Sequence, residues 1–488
     1  MTKGEKTLGT LGRSRIKQGI FLSIFAQLVS VSVSLVFSLF VPKFIPELEY
    51  AHWQTFVLYV AYVGLFHFGL LDGLILRYSQ YDYDSLDLRL IRSQYRVLFL
   101  FTLVLAAAGI TVSCLFFRGT ATGWLLILLS AGTVTKNLFT YTSYTFQITN
   151  RIGNYAFLII AQRVVNGIGV VLLLLLGVDD FVWYCVAELA GDLVGSLLAA
   201  LKNRGLYLGS VPPFGEIFSE VGRNVSAGIM LLVANWSSIF LIGSAKMMVD
   251  WHWDKLVFGK VSFAFSVSNL FLTFVSAVSV VLFPSLKRTD PERLPDMYRG
   301  IRRRLSPLLF AALLFYFPGC AVLSRWLPAY RESLTYLGLL LPVIVYASKV
   351  SLLTDNYLKA YRREKTMLAI NLFCIALALA SFAVCSFVFD SVFGLLVAVV
   401  SMVALRSVLS EIAVGRVIGK TAGIVDLVSE AILSVGFILS ARLFSLPLGA
   451  GVYAALFTVY LLLHLGDLRT FLRRRKSSET PNGEEEID

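Results

Sequence analysis

Five basic residues, Lys136, Arg163, Lys260, Lys349 and Arg406, lie inside long apolar runs of this chain. On insertion scales a cation at the centre of a bilayer costs about 2.5–3.5 kcal/mol, so a cation kept there is expected to face a shared interior. Lys136, Arg163, Lys349 and Arg406 are therefore read as a cationic cleft for an anionic cargo. The alternative is that each answers a buried acid such as Glu188, Asp192 or Glu411 and fixes helix packing. Lys260 lies near the outer end of its run, where its long side chain can snorkel to the interface. The acids form a second set. Glu188 and Asp192 are four apart and share one helix face, so their mutual repulsion suits them to hold a proton or a sodium ion. Asp72 and Asp355, nearer the inner ends of their runs, are further candidates for ion coupling; Asp72 can also pair locally with Arg77.

The elements that carry these charges are fourteen apolar runs, at residues 17–40, 54–76, 97–117, 123–145, 155–176, 181–201, 224–247, 256–283, 305–323, 333–357, 366–389, 392–414, 424–442 and 447–468. A helix needs about 20 apolar residues to span a bilayer. The runs are continuously apolar, whereas barrel strands alternate over about ten residues, so an all-α polytopic membrane protein of about 14 transmembrane helices is expected. Composition agrees: 57% hydrophobic and 15% charged residues, with a mean hydropathy of +0.75, cannot be hidden in one aqueous globule. The net charge of +12 does not point to nucleic acid, because the basic residues cluster in short loops. With the amino terminus inside, the inner loops and tails hold 31 of the 43 Lys and Arg, the outer loops 7 and the span interiors 5. That asymmetry places both termini in the cytoplasm. The first run is read as a retained span, being too long for a signal-peptide core.

Catalytic and metal signatures are missing from the sequence. It has no P-loop, HExxH or G-x-S-x-G, the five cysteines lack C-x-x-C spacing, and the four histidines are scattered. Neither enzyme activity, a metal site nor a cofactor is expected.

Loop spacing suggests an internal duplication. Arg77 corresponds to Lys287 (210 residues apart), Arg151 to Arg362 (211) and Asp179 to Asp390 (211). Two six-helix lobes in parallel pseudo-repeat, followed by two carboxyl-terminal helices, are the expected architecture. The segments are a basic amino terminus (1–16), an amino-terminal lobe (17–201), a cytoplasmic linker (202–223) that includes a short interfacial helix at 216–221, a carboxyl-terminal lobe (224–414), two additional spans (415–468) and a cytoplasmic tail (469–488). Lys136 and Lys349, 213 residues apart, then lie on equivalent helices. Gly69-x-x-x-Gly73 and Gly191-x-x-x-Gly195 suggest close helix approach, and Pro307, Pro318 and Pro342 allow bends.

The run FVPKFIPELEYAHWQTF from Phe40 to Phe56, GLFHFGLLDGLILRYSQ from Gly64 to Gln80 and YTFQITNRIGNYA from Tyr144 to Ala156 resemble bacterial oligosaccharide flippases of the multidrug, oligosaccharidyl-lipid and polysaccharide exporter superfamily. The resemblance implies two six-helix lobes that open alternately to each side of a bacterial inner membrane. It further implies a polyprenyl diphosphate-linked oligosaccharide as cargo, surface polysaccharide or lipopolysaccharide assembly as the setting, and membrane lipids, a polysaccharide polymerase and glycosyltransferases as partners. Tyr141, Tyr144 and Trp236 would then stack on sugar rings. A cation-coupled multidrug exporter, a lipid II flippase and a non-transporting scaffold for glycan assembly are the alternatives.

Overall fold

The computed structural model describes residues 25, 28–79, 81, 85–149, 151–270, 294–419, 423–464 and, as backbone, 465–478. The described chain is helical, with no strand among its elements. It divides into two compact units, Met1–Phe263 and Ala264–Asp488.

The first unit contains α1 (Leu28–Phe44), α2 (Glu47–Val60), a 3-10 turn (Val63–His67), α3 (Leu70–Tyr78), α4 (Leu88–Phe116), α5 (Ala121–Ile148), α6 (Ile152–Leu175), α7 (Phe181–Lys202) and α8 (Phe214–His252). A further helix, α9 (255–270), starts in this unit and runs past Phe263. The second unit holds α10 (Leu294–Trp326), α11 (Pro328–Ala360), α12 (Glu364–Val388), α13 (Val392–Ile418), α14 (Ile424–Leu443) and α15 (Leu446–Ser478).

Among the described residues ten helices are long and apolar enough to cross a membrane, or eleven if the bent α2–α3 pair is one span. The expected spans at 17–40 and 256–283 fall partly outside the described residues. The expected span at 123–145 is present as α5, although α5 is not among those apolar helices. Its polar residues explain this: Thr133, Asn137 and Thr142 are buried, and α5 packs against α4 and α7.

Helix starts follow the sequence. Asp87, Thr120, Asp180 and Ser391 each accept a backbone N–H in the first turn of the helix that follows. The second expected span is broken: α2 and α3 meet at 58°, where Phe68 (φ 49°) and Gly69 (φ 85°) adopt left-handed backbone. Gly69 is required there twice over, because a Cβ would also lie 2.5 Å from the Ile229 nitrogen on α8.

The same seam corrects the expected short helix at 216–221. Phe214–His252 is one continuous helix of 39 residues, because its first turns are held against α3. A Cβ on Gly73 would lie 1.9 Å from the Asn224 carbonyl oxygen, and one on Gly228 would lie 2.0 Å from that of Gly69, so the backbones touch. Tyr59 and Thr55 of α2 bond Asp250 at the far end of α8 (3.1 and 3.2 Å). Residues 202–223 and all of α8 lie within the first compact unit, Met1–Phe263. On α7, Gly191 and Gly195 approach Gln162 of α6 in the same manner.

In the second unit α11 is the central helix: 89% of its apolar window is buried, against 17–39% for the other apolar windows of that unit. Pro342 lies inside it, and a π-turn at Val350–Thr354 follows Lys349. Pro307 lies inside the first segment of α10, which passes through a 3-10 turn at Leu313–Phe315.

Candidate functional site: buried ion clusters

Packing of α5, α6 and α7 brings three of the sequence-identified charges together. Lys136 Nζ lies 2.9 Å from Glu188 Oε1 and 3.0 Å from Asp192 Oδ2. Gln162 on α6 donates from Nε2 to Asp192 Oδ1 at 3.1 Å, which fixes the carboxylate. Asp192 is fully enclosed, with its side chain 1% exposed, while Lys136 and Glu188 retain 24% and 18%. One ammonium between two carboxylates leaves a formal charge of −1, which a proton or a small cation would neutralise.

Arg163 follows Gln162 on α6 and is half-buried. Among the described residues it makes no hydrogen bond or ion pair. It is thus a cation near the middle of an apolar helix that no described carboxylate compensates.

The second unit builds a larger cluster around α11. Lys349, 1% exposed, is ion-paired with Glu411 of α13 and Glu430 of α14. Arg302 of α10 bridges the same two acids through Nε to Glu411 (2.9 Å) and Nη2 to Glu430 (3.5 Å), and reaches Asp426 through Nη1 (2.7 Å). His464 of α15 closes the chain of contacts, with Nε2 3.1 Å from Asp426. Tyr346 and Ser434 bond each other beside it at 2.8 Å. Two permanent cations face three carboxylates, and the imidazole of His464 lies against Asp426 at the end of the path. All five helices α10, α11, α13, α14 and α15 meet here, so the two carboxyl-terminal helices are bound into this unit by charge as well as by packing.

The remaining expected site residues are placed as follows. Arg406 lies 3.6 Å from Asp355, both on the second unit. Asp72 is buried, with Asn235 donating to it at 3.5 Å and His67 4.0 Å away. The expected local pair between Asp72 and Arg77 does not form, because Arg77 turns to Glu220 and Asn224 of α8. Lys136, Lys349 and Arg406 are not bare cations, as a purely cationic cleft would require. Each helix carrying one packs beside a helix carrying an acid, and pairing avoids the cost of an isolated buried charge. Tyr141 is fully buried and donates to the Ile91 carbonyl at 2.6 Å, so it cannot stack on a sugar. Trp236 packs against Tyr62 at 5.3 Å between centroids. Sequence reasoning did not single out Arg302, Glu430, Asp426 or His464. Glu430 was findable, as an acid in the middle of an apolar run; Arg302 was hidden in the loop-like run Arg302–Arg304.

No family model matches this sequence, and no curated protein matches it. Solved structures do resemble it. A multidrug resistance MATE family transporter of the MOP superfamily, in an inward-facing conformation, superposes with a TM-score of 0.64 at 11% identity, over 80% of this chain and 98% of that one. Lipid II flippase MurJ in an inward closed conformation gives 0.62 at 11% identity, over 92% and 99%. An outward-facing MATE family transporter of the same superfamily gives 0.51 at 13% identity, over 83% and 96%. The chain therefore has the fold of these membrane proteins.

Proposed function

We propose that this chain is a membrane transporter that moves a polyprenyl diphosphate-linked oligosaccharide from the cytoplasmic to the outer face of a bacterial inner membrane by alternating access, for surface polysaccharide assembly. The observation that carries the choice of an anionic cargo is Arg163: among the described residues this intramembrane cation has no partner, and a diphosphate is a ligand that would compensate it. The likeness to a lipid II flippase over 92% of the chain, against 80% for the MATE transporter, supports a lipid-linked cargo.

In this reading Lys136, Lys349 and Arg406 are conditional contacts. Each is held by carboxylates, and it becomes available to the diphosphate when its acid takes up a proton or a sodium ion. Glu188 and Asp192 are the coupling acids for Lys136, and Asp355 is the acid that holds Arg406. Asp72, which lies apart from any described Lys or Arg, retains its proposed coupling role on the α3–α8 seam. The lobes at 17–201 and 224–414 and the cytoplasmic placement of both termini belong to the same proposal, with the excess of inner-loop Lys and Arg in its support.

The surplus of carboxylates over permanent cations in both ion clusters favours a second reading, a cation-coupled multidrug exporter. The two separate in one experiment. Native mass spectrometry of the protein extracted from its own host should show a co-purifying polyprenyl diphosphate glycan, and loss of that species in Arg163→Ala. Bound cationic amphiphiles in its place would favour the exporter.

A further inference from the structure

The ends of α3, α4 and α8 that the loop charges place on the cytoplasmic side border an open cavity of 610 Å3. Its polar wall is built around one acid. Glu220, 3% exposed, receives Arg77 Nη1 on Oε1 at 2.6 Å and Arg223 Nη2 on Oε2 at 2.9 Å, and the Tyr78 hydroxyl also bonds it. Two guanidinium groups on one carboxylate leave a charge of +1. Each guanidinium has five N–H donors, and Arg223, whose side chain is 59% exposed, spends few of them on the protein. The other acid of the lining, Asp87, accepts from Arg89 N at 2.8 Å and Leu90 N at 3.4 Å through Oδ1 alone; it keeps its charge, which the amino-terminal dipole of α4 offsets in part.

The lining also includes the apolar side chains Leu76, Leu86 and Leu90. Leu76 is 53% exposed on a helix of the membrane-spanning pair α2–α3. Phosphate-matching donors next to an exposed leucine, at the end of membrane helices, fit an amphiphile better than a soluble anion. We propose that this cavity binds the phosphate headgroup of an anionic phospholipid of the cytoplasmic leaflet, with Arg77 and Arg223 on the phosphate and an acyl chain along Leu76. A free phosphate would use the same donors and gain nothing from the leucines. This site is independent of the cargo, and its test involves no transport.

The full-length protein, delipidated in detergent, would be titrated with dioleoylphosphatidylglycerol by native mass spectrometry. Dioleoylphosphatidylcholine serves as the control lipid and inorganic phosphate as the competitor. One phosphatidylglycerol should bind more tightly than the rest, Arg223→Gln should weaken it about tenfold, and Leu76→Gln should weaken it too. Arg223 is exposed enough that its replacement leaves the fold intact, which the unchanged melting temperature of that variant would verify. Equal binding by Arg223→Gln and the unmodified protein would overturn the proposal. So would equal affinity for phosphatidylcholine, or displacement of the tight phosphatidylglycerol by millimolar phosphate, which would mark a free-anion site.

Discussion

Lys136 Nζ on α5 sits 3.0 Å from Asp192 Oδ2 on α7, the helix whose close approach to α6 is set by Gly191 and Gly195 against Gln162. Removing Lys136 leaves Asp192 and Glu188 uncompensated where water is scarce, whereas neutralising Asp192 leaves Lys136 paired with Glu188. Lys136→Met should therefore destabilise the protein by roughly 3 kcal/mol, the cost typical of breaking a buried pair from one side. Lys136→Met combined with Asp192→Asn should recover part of that loss. Thermal unfolding of the three proteins in detergent measures it, and equal melting temperatures for the single and double variants would show that the pair is not coupled.

The second unit gives a stricter case. Lys349 is enclosed between Glu411 and Glu430, so Lys349→Met and Glu430→Gln act on one network. Their effects should be non-additive by about 1–3 kcal/mol in a double-mutant cycle, as for contacting residues in one ionic network. Additive losses would separate the two residues energetically.

The α3–α8 seam predicts an asymmetric pair of glycine substitutions. Gly73→Val places a branched side chain where even a Cβ meets the Asn224 carbonyl oxygen at 1.9 Å, so α8 must move off α3 and folded protein should fall sharply. Gly215→Ala, on the same helix α8 with nothing within 4 Å of its added Cβ, should be neutral or slightly stabilising. The yield of monodisperse protein after extraction is the readout, and a well-folded Gly73→Val variant would contradict the contact.

These residues show what a single sequence carries. Intramembrane charges stand out because hydrocarbon makes them costly, so Lys136, Glu188, Asp192 and Lys349 were legible as a set. Which acid each cation meets was not, because pairing depends on how helices far apart in sequence rotate against one another. Glu411 and Glu430 reach Lys349 from 62 and 81 residues away. The small-residue motif at Gly69 and Gly73 announced a close approach, yet its partner Gly228 lies on a helix assigned by spacing to the other half. The left-handed turn at Phe68 and Gly69, which breaks the second span, had only a glycine as its signal. Arg302 was counted with the loops, since a basic residue beside two others reads as surface until α14 and α15 are packed against it.

Arg163 is where the proposed division between structural and functional charge can be tested. Among the described residues it has no ion-pair partner, so Arg163→Ala should leave the melting temperature within a degree or two, the size expected of a change that breaks no contact. A large loss of stability in this variant would mean that Arg163 is a packing residue.

The most direct measurement is translocation in proteoliposomes, using a fluorescent polyprenyl diphosphate oligosaccharide whose exposure is read by an impermeant sugar-binding protein. The account predicts that the unmodified protein moves this cargo, and that Arg163→Ala slows it by about tenfold or more, the loss of one charge-assisted contact to the diphosphate. Absence of translocation by the unmodified protein, or equal rates for the two proteins, would contradict it.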